Sequence, residues 1–407
     1  MSVAEYDVVI CGGGLVGASL AIALGDLPIK VALIEAVPPE SAGDSSFDER
    51  SIALSRSSKA ILTTLGVWPS LDNAAWPIDS IHVSEQGRFG TAVIDAAQQR
   101  VDHLGHVIKS RVLGPQLWAA LESKPAVSLF CPARVVKVEQ ADSGIHAELD
   151  DGSTLKATLL VVADGARSAI REQLGIAAEN TSYEQAAIIG NVSVDSRKAG
   201  NMAYERFTEN GPLAILPGAD GVYTFVLTRP ADQVEATLAL SDEQMLAELQ
   251  SSFGFRLGRF KRIGQRFSYP LYLTTSNALT APHAVVIGNA AHGLHPVAGQ
   301  GFNLGLRDAA SLAELIAKQV VNGGSLQDGL AGLQDEYCEW RKTDQRNVVA
   351  FTDGLIRGFG RRGRLFGTLR GLALLGFDAL PPAKRELARH TMGLSGRGTR
   401  LSRGLRL

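Results

Sequence analysis

The stretch Asp7-Val8-Val9-Ile10-Cys11-Gly12-Gly13-Gly14-Leu15-Val16-Gly17 decides the fold. Tyr6 to Cys11 is a short apolar run, as expected of a strand buried on both faces. Gly12, Gly14 and Gly17 then fit a dinucleotide-binding fingerprint, with a helix predicted over Leu15 to Leu24. The first glycine permits a tight turn, the second lets backbone approach a pyrophosphate, and the third lets helix and strand pack closely. The helix N-terminus offers unpaired N–H groups and partial positive charge to phosphates. A second buried strand, Lys30 to Glu35, ends in an acid 18 residues beyond Gly17, where a carboxylate accepts from ribose hydroxyls. Strand, helix, strand and acid follow in order, so a chance glycine cluster is discounted. Gly358-Phe359-Gly360-Arg361-Arg362-Gly363 repeats the glycine spacing with no strand before it and no acid-tipped strand after it. It is read as a chance match, so a nicotinamide cofactor would have no domain of its own.

Two further stretches extend the reading. One is Val161-Val162-Ala163-Asp164-Gly165-Ala166-Arg167-Ser168-Ala169-Ile170-Arg171, where Ser168 is expected to cap a short helix rather than act as a nucleophile. The other runs from Val285 through Gly288-Asn289, His292, His295-Pro296 and Gly299 to Gly301-Phe302-Asn303 and Gly305, with a long helix predicted from Asn303. Candidate strands fall at Ala187–Val194, 202–207, 213–216, 222–227 and 266–272. Ser241 to Ser251 reads as a helix with a Ser241/Gln244 capping box. The pattern divides the chain into a dinucleotide-binding domain in three pieces (1–72, 102–178 and 275–354), a strand-rich second domain (73–101 and 179–274) and a C-terminal region (355–407). Asn322-Gly323-Gly324 punctuates the later helices.

With 407 residues, 45% hydrophobic and 20% charged, the chain has the composition of an ordinary globular protein. No run approaches the ~18 apolar residues of a membrane span. The N-terminus enters a strand at once, and the three cysteines are scattered, so the expectation is a cytoplasmic protein without a disulfide framework. His292 and His295 lack a ligand set around them, and no metal is expected. The net charge of −2 conceals an asymmetry: residues 355–407 hold twelve Lys or Arg against Asp378 and Glu386, interleaved with leucines and phenylalanines. Such a segment either lies on an anionic membrane surface or packs as a helical hairpin on the body. No recognition fold accompanies the charge, so nucleic acid is excluded as a partner.

The three stretches together resemble the class A flavoprotein monooxygenases, over nearly the whole chain. Within that class, Phe47-Asp48-Glu49-Arg50-Ser51-Ile52-Ala53-Leu54 and the Leu294-to-Gly305 run resemble the ubiquinone-biosynthesis hydroxylases, and among these the 2-octaprenyl-6-methoxyphenol hydroxylases. Most of the class has Gly-Asp where this chain has Gly288-Asn289, which keeps an acceptor for a ribityl hydroxyl and removes a charge. The resemblance implies an α/β fold: a Rossmann-like FAD-binding domain with an inserted antiparallel-sheet substrate domain, para-hydroxybenzoate hydroxylase-like, and a basic helical C-terminus. It implies that Gly12, Gly14, Gly17 and Glu35 hold the ADP half of FAD. Arg50 and Arg111 would meet the pyrophosphate or adenosine side, Asp164 would lie near the pyrophosphate and ribityl, and Gly288 and Asn289 at the ribityl chain. Pro296, Gly299, Gly301, Phe302 and Asn303 would lie around the isoalloxazine ring, with backbone at Pro296 touching substrate.

The activity implied is hydroxylation of a polyprenylated methoxyphenol to the 1,4-benzoquinol. NAD(P)H would be the transient reductant, O2 the co-substrate and a flavin hydroperoxide the oxygen donor. Implied partners are a lipophilic phenol, other ubiquinone-biosynthesis proteins and the inner face of the membrane. Hydroxylation of a small soluble aromatic, or service as a flavin-binding scaffold subunit, are the alternatives. Trp68, Trp76, Trp118 and Trp340 read as packing residues, and Phe207, Tyr223 and Phe225 as candidates to line a pocket. No His or Lys stands out as the base for a phenolic proton.

Overall fold

The computed structural model describes residues 4–38, 50–195, 200–321, 323–360 and 364–407. The segment Phe47-Asp48-Glu49, part of the resemblance above, and Asn322 lie outside the described residues, whereas Arg50 lies within them.

Strand Ala4–Cys11 pairs in parallel with Val31–Ile34 on one side and Thr154–Val162 on the other. Val127–Phe130 and Ala284–Val286 extend the parallel set outward. Three antiparallel strands, Val135–Ala141, Gly144–Leu149 and Thr280–Ala281, complete an eight-stranded sheet. The central strands are buried on both faces because helices cover one side, and Val8, Ile10, Leu20, Leu24 and Leu33 show no exposure. Each contributes about 1.5–3 kcal/mol by leaving water. Helix Leu15–Leu24 lies over this sheet, flanked by helix Ser110–Glu122 and the long helix Gln300–Val320.

A second, nine-stranded sheet is antiparallel except for one pair. Its order runs His292–Gly293, Phe267–Ser276, Ala178–Ser193, Val222–Pro230, Gly211–Pro217, Met202–Thr208, Ser80–Glu85 and Thr91–Asp95, with Arg262–Ile263 beside Ala178–Ser193. Ser80–Glu85 joins Met202–Thr208 in parallel, so residues near 80–95 and near 180–275 share one sheet. The His292–Gly293 strand ties it to the glycine-rich segment that follows the first sheet. Helix Asp242–Phe253, with the expected Ser241/Gln244 capping box, covers one face of this sheet.

Tyr223 and Phe225 are buried under that helix with Met245, Leu249 and Phe253. They therefore do not line the face turned toward the first sheet, contrary to their reading as pocket residues. Strand alternation is the reason: their neighbours Thr224 and Val226 take the inner face. Past the breaker, helix Leu326–Gly360 returns along the body, followed by helices Arg364–Asp378 and Pro381–Thr391. Gly358 and Gly360 sit inside the first of these helices, consistent with a chance glycine spacing.

Candidate active site

The parallel register brings the predicted segments together. Cys11 is paired with Ile34 and with Val162, and Val162 with Val286. Gly12, Glu35, Asp164 and Gly288 therefore emerge side by side at the carboxyl ends of four adjacent strands, where open α/β sheets bind ligands.

The glycines can be assigned by what a side chain would meet. At Gly12, with φ +102°, a Cβ would lie 2.6 Å from the Ala163 carbonyl oxygen, so only glycine lets the first turn nest against the Ala163–Asp164 segment. At Gly17 a Cβ would lie 1.9 Å from the Gly12 oxygen, which fixes the close crossing of helix and turn. Gly13, unassigned by the fingerprint, is wedged between Glu35 and Trp118, each 2.8 Å from its would-be Cβ. Its N–H donates to Glu35 Oε2 at 2.6 Å, and Trp118 Nε1 donates to its carbonyl at 3.0 Å. Trp118 is thus a clamp on the glycine turn. Gly14 faces open space, and the helix it precedes has no side-chain cap, so its first N–H groups have no side-chain acceptor from the N-cap. Glu35 also accepts from the Val37 N–H at 2.9 Å, and a carboxylate retains further acceptor capacity.

After the Ala163–Asp164 segment, Ser168 caps its helix by accepting from the Arg171 N–H at 3.0 Å. Asp164 reaches solvent at the rim. Desolvation pushes its carboxyl above the ordinary range, against the opposing pull of Ser168 and Arg171. Gly288 takes φ +60°, Asn289 is exposed, and Gly305 of the long helix lets that helix close over Gly288 and Val16. Arg50 lies over the Tyr269 ring at 4.9 Å, and Arg111 is exposed in the first turn of helix Ser110–Glu122. The Pro296 carbonyl accepts from the Gly299 N–H at 2.9 Å, closing a turn in which Ala298 has φ +58° and Gly299 φ +60°. Gly301 faces open space, and Phe302 packs on the core of the first sheet. A cradle of glycines, uncapped helix N–H groups and one carboxylate suits the pyrophosphate, ribose and flat ring of a flavin dinucleotide.

Comparison with known proteins agrees. The FAD binding domain family matches residues 5–352. The chain is 37% identical to "Ubiquinone hydroxylase UbiL" of Rhodospirillum rubrum, over 98% of this chain and 93% of that one. It is 29% identical to the "3-demethoxyubiquinol 3-hydroxylase" of Escherichia coli, over 95% and 98%. This chain belongs to the FAD-dependent aromatic monooxygenases of the ubiquinone-biosynthesis family. Its fold is that of p-nitrophenol 4-monooxygenase PnpA from Pseudomonas putida DLL-E4, with a TM-score of 0.79 at 20% identity, covering 98% of this chain and all of that one.

Three features of this monooxygenase were beyond the sequence reading. The long helix begins at Gln300, not Asn303, because Gly299 in a left-handed conformation precedes it. Asn303 is buried in its first turn: Oδ1 accepts from the Ser55 N–H at 2.8 Å and Ser58 Oγ at 2.7 Å, and Nδ2 donates to the Ala53 and Gly299 carbonyls at 2.8 and 2.7 Å. Its side chain pins strand Ser51–Ser55 to the Pro296–Gly301 turn, so all of its amide is engaged within the protein.

The second feature is a buried ion cluster under Gly288. Asp308 accepts from the Gly288 N–H at 3.3 Å, His292 Nε2 at 2.5 Å, Arg341 Nε at 2.7 Å and Gln345 Nε2 at 3.0 Å. Burial alone would raise its carboxyl, but His292 and Arg341 outweigh this and hold it well below the usual range. His292 is thereby a structural partner of Asp308, and no group of three His, Cys, Asp or Glu among the described residues could hold a metal ion.

The third is Glu205, on strand Met202–Thr208, whose carboxyl meets the Ala298 N–H of the Pro296–Gly301 turn. Its signal in the sequence was weak: with Arg206 beside it, it read as one charge of an ordinary half-exposed strand.

Proposed function

We propose that the chain hydroxylates a polyprenylated phenol on the route to ubiquinone, with 2-polyprenyl-6-methoxyphenol as the leading substrate, NAD(P)H as reductant and O2 as co-substrate. The observation that carries this reading is the placement of the dinucleotide cradle beside a sheet face that carries a strip of apolar side chains. When bound, FAD supplies the activation of O2 for insertion into an electron-rich ring. The chain's own residues supply the rest. Gly12, Gly14, Gly17 and the uncapped helix hold the phosphates, and Glu35 the ribose. The Pro296–Gly301 turn and the first N–H groups of helix Gln300–Val320 would hold the ring, and their partial positive charge would favour negative charge on it.

Register places Ile81, Ala203, Leu216, Ala214, Val226 and Ile189 on the inner face of the second sheet. These positions form an apolar strip suited to a lipophilic phenol, and the cations that reach the same face are engaged, Lys109 with Asn191 Oδ1 at 2.9 Å and Arg50 over the Tyr269 ring. An apolar wall also excludes water from the reacting atoms.

The C-terminal region supports delivery from a lipid surface. Helix Arg364–Asp378 packs on the body through Arg370, paired with Glu85, yet leaves Phe366, Leu369, Leu372 and Leu375 each more than 40% exposed. Arg385 and Arg389 on the next helix are also exposed. Among the described residues no helix is long and apolar enough to cross a membrane, so the contact we propose is peripheral.

The test is deletion in a host that makes ubiquinone, followed by identification of what accumulates. A prenyl-methoxyphenol supports the reading, and a demethoxyubiquinol would move the reaction to another ring position. Normal quinone in a host without a redundant enzyme overturns it. Phenol-stimulated NAD(P)H oxidation with hydroxylated product separates an enzyme from a scaffold.

A further inference from the structure

Hydroxylation needs the ring as phenolate, and the inner face of the second sheet holds one acid placed to make it. Glu205 is paired in register with Ala214 on one neighbouring strand and Val83 on the other. Side chains on either side of it along that face are Ala203, packed with Ile78, Val107 and Leu216, and Phe207, stacked on Phe359 at 3.6 Å. Glu205 Oε1 is buried with no hydrogen-bond partner, and so is Gln300 Oε1. Both side chains meet Ala298: its N–H faces the Glu205 carboxyl, and its carbonyl accepts from Gln300 Nε2 at 3.0 Å. Two buried oxygens that want a donor thus flank the middle of the ring-binding turn. A buried acceptor left unpaired is costly, and native proteins keep such groups where a ligand completes them.

We propose that Glu205 is the base that takes the phenolic proton of the substrate. The proposal rests on the hydroxylase reading above. In the step, the phenol O–H bond breaks, its electron pair stays on the phenol oxygen, and the proton bonds to Glu205 Oε1. No electrons are exchanged, and the ring gains the density at its ortho and para carbons that oxygen insertion requires.

The electrostatics are consistent. Burial pushes the Glu205 carboxyl up to about 7, opposed only by the Ala298 N–H. Such a value suits a base working near neutrality. The surrounding charges are otherwise engaged. Glu85, on the same face two residues beyond Val83, is tied to Arg370. Arg357 of the helix bearing Phe359 is tied to Asp353. Arg206 and Tyr204 turn to the opposite face, against Ser252 and Phe253. The Gly211–Pro217 strand brings no titratable group, and the turn itself brings only Ala298 and neutral Gln300.

The experiment uses FAD-loaded wild type, Glu205→Gln and Glu205→Ala with 2-geranyl-6-methoxyphenol and its ring-fluorinated, more acidic analogue. The readouts are kcat and KM for product, their pH profiles, and the absorbance of bound phenolate. Wild-type kcat is expected to rise with pH through about 7. Glu205→Gln is expected to retain flavin, keep KM within a few-fold and lose the phenolate band at neutral pH. Its kcat should fall about 10²–10³-fold, with recovery at high pH or with the fluorinated phenol. A Glu205→Gln enzyme with wild-type kcat, pH profile and phenolate band overturns the proposal alone. A wild type that oxidises NAD(P)H and hydroxylates neither probe overturns the hydroxylase reading and this proposal with it.

Discussion

Asp308 and Glu205 are both buried acids, and they meet the same stretch of chain at its two ends, Asp308 at Gly288 and Glu205 at Ala298. Their surroundings are opposite. Asp308 gathers four donors, two of them from side chains of helix Leu326–Gly360, and stays charged. Glu205 has one backbone N–H and an apolar wall, and its carboxyl is raised to about 7. Burial pushes both upward, and the count of opposing charges decides the outcome. A carboxylate that anchors structure is saturated with donors, whereas one left short of partners has capacity for a ligand.

The contrast is tested most severely at Asp308. Asp308→Ala leaves His292 without its carboxylate and buried Arg341 with Asp344 alone, and the expected loss is about 3 kcal/mol, read by urea unfolding of the FAD-loaded protein. A loss below ~1 kcal/mol would show that saturation of this acid is not what fixes the turn at Gly288. Next is the glycine turn. Gly17→Ala puts a methyl 1.9 Å from the Gly12 oxygen. It is expected to cost about 1–3 kcal/mol and abolish flavin retention. Gly14→Ala meets no protein atom and should fold normally while weakening FAD binding, measured by visible absorbance after gel filtration.

A smaller effect separates the two acids by pH. The Glu205 carboxyl is raised from 4.5 to about 7 on folding. Between those values the unfolded chain ionises while the folded one keeps its proton, so native stability falls as pH rises through that window. Glu205→Gln removes this loss. Its melting temperature relative to wild type should therefore climb by a few degrees from pH 4.5 to 8, and a constant difference would refute the raised carboxyl. Leu369→Asp with Leu372→Asp, at two exposed positions, should change folding by less than about 0.5 kcal/mol. Binding to anionic vesicles should drop, as measured by co-sedimentation, and turnover of a water-soluble phenol should hold.

The glycine segments were legible because a glycine in a turn has positional meaning: Gly12 and Gly17 each prevent a specific backbone clash. Ser168 and Ser241 were legible as caps because their partners lie three residues away. Asp308 was not, since its partner Arg341 lies 33 positions downstream and nothing local links them. Glu205 stood next to Arg206 on a strand, and nothing local marked it as buried or as a partner of Ala298. Asn303 was visible as a member of the Pro296-to-Asn303 run, but not as the pin between that run and Ser55, which is a contact across 248 positions. Tyr223 and Phe225 were assigned to a pocket because the face of a strand in a sheet covered on both sides cannot be told from alternation alone.

Helix Leu326–Gly360 begins after the last fingerprint glycine and carries no motif. It nevertheless provides Arg341 to the anchor under Gly288 and Phe359 to the strand that bears Glu205. A fragment trimmed to the recognisable glycine segments would keep every signature of a flavoprotein and lose the supports of Gly288 and of the strand that meets Ala298. Library designs and gene truncations guided by motif boundaries should therefore leave this stretch intact.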